Sequence, residues 1–290
     1  MFKFLLIVLS ASAAIATHIF SPFVTVKQER EYILCHPEYP ADDMRKFAAD
    51  PAFQALHFSP LPLVYAAQGT MIRFATPDGQ EAGGYMVKSR KRSDKWLFVF
   101  QEWWGLNDHI KKEADRLFEE LGGQVNVLAL DMYDGRSTSD PKEAAQFMQG
   151  VKEDRLENIV KGARTLAGKK ATIAHIGWCF GGAWSLKAGL LDQQQTVGVV
   201  MYYGMPVRDV EKLKTLNSDV LGLFATEKYI SKEVIEEFAV RMKEAGKELS
   251  YTIYDAVHGF ANPSNPKFDS VKAAEANEKA TAYLRKRLKI

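Results

Sequence analysis

The chain is expected to fold as an α/β unit, a mainly parallel sheet with helices packed on both faces. Three observations predict this. Short apolar runs alternate with helix-period segments over most of the sequence. Several of those runs, such as Trp96-Leu97-Phe98-Val99-Phe100, are apolar at every position, as strands buried on both faces are. A third run, 171–176, leads through Gly177-Trp178-Cys179-Phe180-Gly181-Gly182 straight into an apolar helical run, 183–191, making a strand–turn–helix unit.

Taken in order, residues 71–75 and 84–88 read as an opening hairpin, with Pro77-Asp78-Gly79 supplying turn chemistry between them. The strand 96–100 is followed by a helix with Ile110, Ala114, Leu117, Phe118 and Leu121 on one side. Residues 125–130 repeat the buried-strand signal, and 141–148 and 156–166 read as helices before the strand at 171–176. Beyond the helical run, 197–203, 220–225 and 249–254 are strands. A helix at 232–245 separates the last two, and a long helix at 268–288 closes the chain. Such alternation places functional loops at the carboxyl ends of the strands.

The first residues are of another kind. Lys3, an apolar run at 4–15 and the triplet Ala14-Ile15-Ala16 have the three parts of a secretory signal peptide. Cleavage is expected after Ala16, leaving no stable membrane span and placing the protein in a periplasmic or extracellular space. An uncleaved anchor running on to Phe23 is the alternative. Residues 17–69, with Pro37, Pro40, Pro51, Pro60 and Pro62 around one short helical pattern at 42–49, read as an N-terminal extension packed across the main domain, 70–290.

With 290 residues, 47% of them apolar, one large core is affordable. Lys and Arg number 38 against 36 acidic residues, so no excess charge is available for a phosphate backbone, and nucleic acid is not an expected partner. There is no His-Glu-x-x-His, paired Cys-x-x-Cys or acidic Ca²⁺ loop, so neither metal dependence nor another cofactor has sequence support. Composition says nothing of oligomeric state.

The turn carries chemistry. A side chain at the tip of so sharp a bend needs small neighbours, and glycines two residues before and two after Cys179 supply them. A thiol displayed to solvent there reads as a nucleophile, against the plainer reading of a small buried Cys. Its base would be His258, in the Gly-containing loop Asp255-Ala256-Val257-His258-Gly259-Phe260 after the last strand. The acid that orients His258 would be Glu227, after the strand at 220–225, with Asp255 as the local rival. Glu102 closes the apolar strand at 96–100 and is a fourth candidate. The backbone N–H groups of Trp103 and Phe180 are expected to form the oxyanion hole. Trp104, Tyr202, Tyr203 and Asn262 are expected to line the substrate pocket. Pairing Cys35 with Cys179 would consume the nucleophile, so no structural disulfide is expected.

The motifs Gln-Glu-Trp-Trp-Gly-Leu-Asn (101–107), Gly-Trp-Cys-Phe-Gly-Gly (177–182) and Asp-Ala-Val-His-Gly-Phe-Ala-Asn (255–262) resemble those of the dienelactone hydrolase family of α/β-hydrolases. The likeness spans roughly residues 70 to 288. It implies an α/β-hydrolase fold, Cys179 as nucleophile, His258 as its partner and Glu102 as the group that takes the thiol proton when substrate arrives. It also implies an Asp after the 220–225 strand, where this chain has Glu227, and an arginine four residues after the histidine, where it has Asn262. The expected activity is therefore hydrolysis of a small-molecule ester or lactone, more apolar or sugar-like than dienelactone itself. Two other readings stay open at this point: another Cys-turn enzyme, such as a thioesterase or glyoxalase-like protein, and an exported binding protein without chemistry.

Overall fold

The computed structural model describes residues 44 and 46–290. The signal-peptide reading and Cys35 lie outside those residues. Among the described residues no helix is long and apolar enough to cross a membrane.

Eight strands form one sheet: β1 Thr70–Ala75, β2 Glu81–Val87, β3 Lys95–Phe100, β4 Asn126–Leu130, β5 Thr172–Trp178, β6 Thr196–Tyr202, β7 Val220–Ala225 and β8 Leu249–Tyr254. Their spatial order is β1-β2-β4-β3-β5-β6-β7-β8. The opening hairpin is antiparallel, and β2 pairs antiparallel with β4. Every later pairing is parallel, as the all-apolar strands required.

The helices are α1 Pro51–Gln54, α2 Asp108–Glu120, α3 Pro141–Gly150, α4 Glu153–Ala167, α5 Phe180–Asp192, α6 Val210–Lys214, α7 Lys232–Glu244 and α8 Ser270–Leu288. Asn107 caps α2 through its side chain, and Asp140 with Pro141 starts α3, both ordinary helix-start chemistry. Helix α5 is buried on almost every side, which explains its lack of a polar face. Helices α1 and α6 are too short to leave a periodic signal, and the sequence reading missed them. A helical turn over residues 46–48 lies within the helix expected at 42–49.

The strand order places the site. From β3 the chain steps to β4 on one side and then to β5 on the other, so the order reverses at β3 and β5. The loops leaving their carboxyl ends part there and open a crevice. Glu102 and Trp103 follow β3, and Cys179 follows β5.

Candidate active site

Cys179 occupies the turn between β5 and α5 with φ 54° and ψ −117°, a backbone conformation that residues with a side chain rarely adopt. Its N–H donates to the Tyr202 carbonyl at 3.0 Å. Two flanking glycines make the turn sterically feasible. A Cβ on Gly177 would sit 2.1 Å from the Gly181 carbonyl oxygen, and one on Gly181 would sit 2.2 Å from that of Phe100. The strand–turn–helix unit packs its backbone directly against β3 at this point.

The imidazole of His258 comes from the loop after β8. Its Nδ1–H donates to Glu227 Oε1 at 2.8 Å, and both side chains are buried. Glu227 is thus the acid beside this ring. A glutamate has one more methylene than aspartate and spans the gap from the loop after β7. The rival, Asp255, is exposed and is not hydrogen-bonded to the ring. His258 Nε2 is buried and makes no hydrogen bond. It lies in the same cluster as Cys179 Sγ, within 4.8 Å.

Glu102 sits on the other side of the pocket. Its carboxylate accepts from Tyr203 Oη at 3.3 Å and from the side-chain amide of Asn262. The Tyr203 ring packs edge-on to His258 with centroids 5.0 Å apart. Trp104 and Asn262 line the small cavity with Glu102 and His258. Phe180, first residue of α5, points its backbone N–H toward the Cys179 sulfur. Trp103 is fully buried, its ring against those of His57 and Trp104.

Two expectations need correction. Tyr202 does not line the pocket. Tyr202 is the last residue of β6, and Tyr203 lies just past the strand's end in a turn with φ 35°, so the two rings meet different surroundings. The Tyr203 hydroxyl reaches Glu102, while Tyr202 packs against Trp178 and donates its hydroxyl to Asn277 on α8. Nor is the sulfur presented to solvent, for Cys179 is only 1% exposed. What covers it is the N-terminal segment.

That segment crosses the crevice as a strap over residues 46–68. Phe53 on α1 is its anchor, buried against Phe47, Tyr229, Trp103 and the rings of His57 and His258. Tyr229 also donates its hydroxyl to Asp50 at 2.7 Å. Further along, Leu61 bonds to Ser264 and His109 through its backbone. The strap delivers His57 onto the sulfur. Its Nδ1 lies 2.9 Å from the Phe53 carbonyl, a contact only an N–H can make, so Nε2 carries the lone pair that faces Cys179 Sγ at 3.7 Å. The His57 ring also packs at a tilt against Trp103, centroids 4.0 Å apart. The cavity that remains has room for about one water molecule. Sequence reasoning missed His57, which has no motif around it and reaches the site only through the strap.

Burial governs the electrostatics. It pushes the Cys179 thiol up, helped by the Glu102 charge and opposed by His258, so the resting sulfur is a neutral thiol. Burial works against a charged His258 as well, but the Glu227 carboxylate and the Cys179 sulfur together outweigh it and raise the ring well above the usual histidine range. Glu102 is pushed up to about 7 by burial, with His258, Tyr203 and Asn262 pulling the other way. His57 is held well below the usual histidine range by burial and by the nearby His258, and stays neutral.

A model of the Dienelactone hydrolase family matches residues 82–288. The chain is 23% identical over 234 residues to carboxymethylenebutenolidase 1 of Cupriavidus pinatubonensis, covering 73% of this chain and 95% of that one. Among solved structures it is similar to a dienelactone hydrolase-like promiscuous phosphotriesterase from metagenomic libraries. The TM-score is 0.65 at 21% identity, over 76% of this chain and 99% of that one. It is also similar to a dienelactone hydrolase from Anabaena variabilis, with a TM-score of 0.56 at 16% identity over 77% and 99% of the two chains.

Proposed function

The chain belongs to the dienelactone hydrolase family, and from that premise we propose that it cleaves a carboxylic ester or lactone through a cysteine nucleophile and a thioester acyl-enzyme. The observation that carries this reading is one buried site in which the Cys179 sulfur and the free nitrogen of His258 come together, Glu227 holds the far side of that ring, and a second carboxylate, Glu102, stands in the same pocket.

The chemistry follows from those positions. Glu102, ionised near neutral pH, takes the thiol proton as substrate enters, and the thiolate attacks the carbonyl carbon. The backbone N–H groups of Phe180 and Trp103 receive the oxyanion. Collapse breaks the bond to the alkoxide, which leaves with a proton from Glu102 or His258, and the acyl group stays on sulfur. His258 then removes a proton from water as that water attacks the thioester, while Glu227 keeps Nδ1 protonated and the ring aligned. Collapse of this second intermediate releases the acid and returns the proton to sulfur.

Two features bear on the substrate. Among the described residues no Lys or Arg lines the cavity, and Asn262 stands where the family resemblance implies an arginine. A second buried carboxylate on the substrate would lack a charged partner, so the reading favours a neutral, apolar or sugar-like ester. Admission of any such ester requires the strap to carry His57 off the sulfur, because the closed site holds about one water.

The test is a panel of esters, lactones and thioesters against the native chain and C179A, with mass spectrometry of rapidly quenched enzyme. The native chain should gain the mass of one acyl group on the peptide containing Cys179, and C179A should show neither adduct nor turnover. Undiminished hydrolysis of every responsive substrate by C179A would rule the reading out. Export belongs to the same proposal. The mature protein should begin at Thr17 and be recovered outside the cytoplasm, and a full-length chain retained in the cytosol would count against it.

A further inference from the structure

We propose that His57, Cys179 and His258 form a binding site for a thiophilic cation of the Zn²⁺ type, which pins the strap onto the active site and stops hydrolysis. The metal-binding part needs only the geometry; the inhibitory part rests on the hydrolase reading.

The Cys179 sulfur and one ring nitrogen from each of His57 and His258 lie within 4.8 Å of one another. His57 offers Nε2, and with its Nδ1 on Glu227, His258 also has Nε2 to offer. Zinc takes sulfur at roughly 2.3 Å and imidazole nitrogen at roughly 2.0 Å, so a tetrahedral centre sets its S and N ligands about 3.5 Å apart. The His57–Cys179 separation is already 3.7 Å. His258 need only close the remaining distance.

Both rings are prepared for the task in the same way. A metal-bound histidine typically gives its other N–H to a carbonyl or carboxylate, which fixes ring orientation. His57 gives Nδ1–H to the Phe53 carbonyl and His258 gives Nδ1–H to Glu227. Each therefore turns Nε2 inward, and that of His258 is a buried polar atom with no hydrogen bond. The one-water cavity is lined by both histidines and by Glu102, so it offers room for a water as fourth ligand and a carboxylate near the cation. One thiolate with two imidazoles is a soft donor set that suits zinc or cuprous ion and not Mg²⁺ or Ca²⁺. On binding, a metal–sulfur bond replaces the S–H bond, and the thiol proton, with any proton on His258 Nε2, passes to solvent.

Such a cation would bond the nucleophile and its base to a residue delivered by the strap. Substrate could then neither enter nor react.

The experiment uses the full chain, freed of metal, with Zn²⁺ titrated against a chromogenic chelator and ester hydrolysis followed in parallel. One Zn²⁺ per chain should bind, with hydrolysis lost at the same stoichiometry and Mg²⁺ without effect. Co²⁺ in place of Zn²⁺ should give a sulfur-to-metal charge-transfer band. In H57A, and in the bulkier H57Q should H57A fold poorly, Zn²⁺ affinity should fall by more than the roughly 10–100-fold that changes outside the ligand shell cost. Inhibition is read against each variant's own metal-free rate, and Zn²⁺ at one equivalent should no longer suppress that rate. Native-like Zn²⁺ affinity in a folded His57 variant, or no one-to-one binding by the native chain, would overturn the site. His57-dependent binding in a chain that hydrolyses no ester would leave the site standing and remove the hydrolase reading instead.

Discussion

At the residue scale, the strongest statement concerns Glu102. It is buried, it receives hydrogen bonds from Tyr203 and Asn262, and its carboxyl is pushed up to about 7. To accept the thiol proton it must be ionised, so acylation should speed up as pH rises through about 7. E102Q cannot take the proton at any pH. It should lose that rising limb from its profile of kcat/KM against pH and lose about two to four powers of ten in rate. An unchanged limb in E102Q would assign the titration to another group. The sequence already singled out Glu102, Cys179, His258 and Glu227, because each ends an apolar run or sits in a glycine-marked loop. His57 had no such mark. It makes its contact with Cys179 across 122 positions of sequence, and no local pattern records a contact that only the strap's path creates.

At the element scale, two joints hold the site: the turn before α5 and the strap. Gly181 lets α5 start against the carbonyls of Phe100 and Gln101, where an added Cβ would lie 2.2 and 2.4 Å away. Backbone atoms cannot step aside as a side-chain tip can. G181A should therefore cost about 1–3 kcal/mol or more, read as a lower midpoint in urea denaturation. The strap depends on Phe53, which is fully buried among five aromatic rings. In F53A the strap should open far more often, because even the lower end of a buried Phe→Ala cost, about 3 kcal/mol, amounts to about two powers of ten in an opening equilibrium. The readout is the rate at which a thiol reagent labels Cys179. Labelling of F53A no faster than that of the native chain would mean that the sulfur is reached by a route the strap does not guard. The βα order was legible because strand and helix periods differ, and the parallel pairing followed from strands apolar at every position. Helix α1, which carries Phe53, was not, since four residues cannot display a period.

At the scale of the whole molecule, a second buried pair lies away from the site. His175 on β5 and Asp192 at the end of α5 approach to 3.6 Å with no solvent exposure. Burial pushes Asp192 up to about 8, against the pull of Arg164, and pushes His175 down to about 3. An acid raised in the fold contributes stability that is full below its unfolded value, near 3.8, and lost as pH rises through about 8. D192N does not titrate. The stability of D192N relative to the native chain should therefore increase from pH 4 to pH 8, by no more than about 1.4 kcal/mol per unit, as measured by urea denaturation at several pH values. The effect of His175 cancels in that difference. A stability gap independent of pH would mean that Asp192 is ionised in the fold.

The sequence by itself determined the alternation of strands and helices, the glycine-flanked turn that holds Cys179, and the order in which Cys179, Glu227 and His258 follow one another, each after a strand. These are local properties, written in the spacing of apolar residues and in the places where only glycine fits. Tertiary structure alone decided that Tyr203 and not Tyr202 reaches Glu102, because that depends on where β6 ends and how the chain turns there. It alone decided that the sulfur lies sealed beneath His57. A segment with no regular period finds its place by the surface it can bury, and that surface exists only once the sheet has assembled.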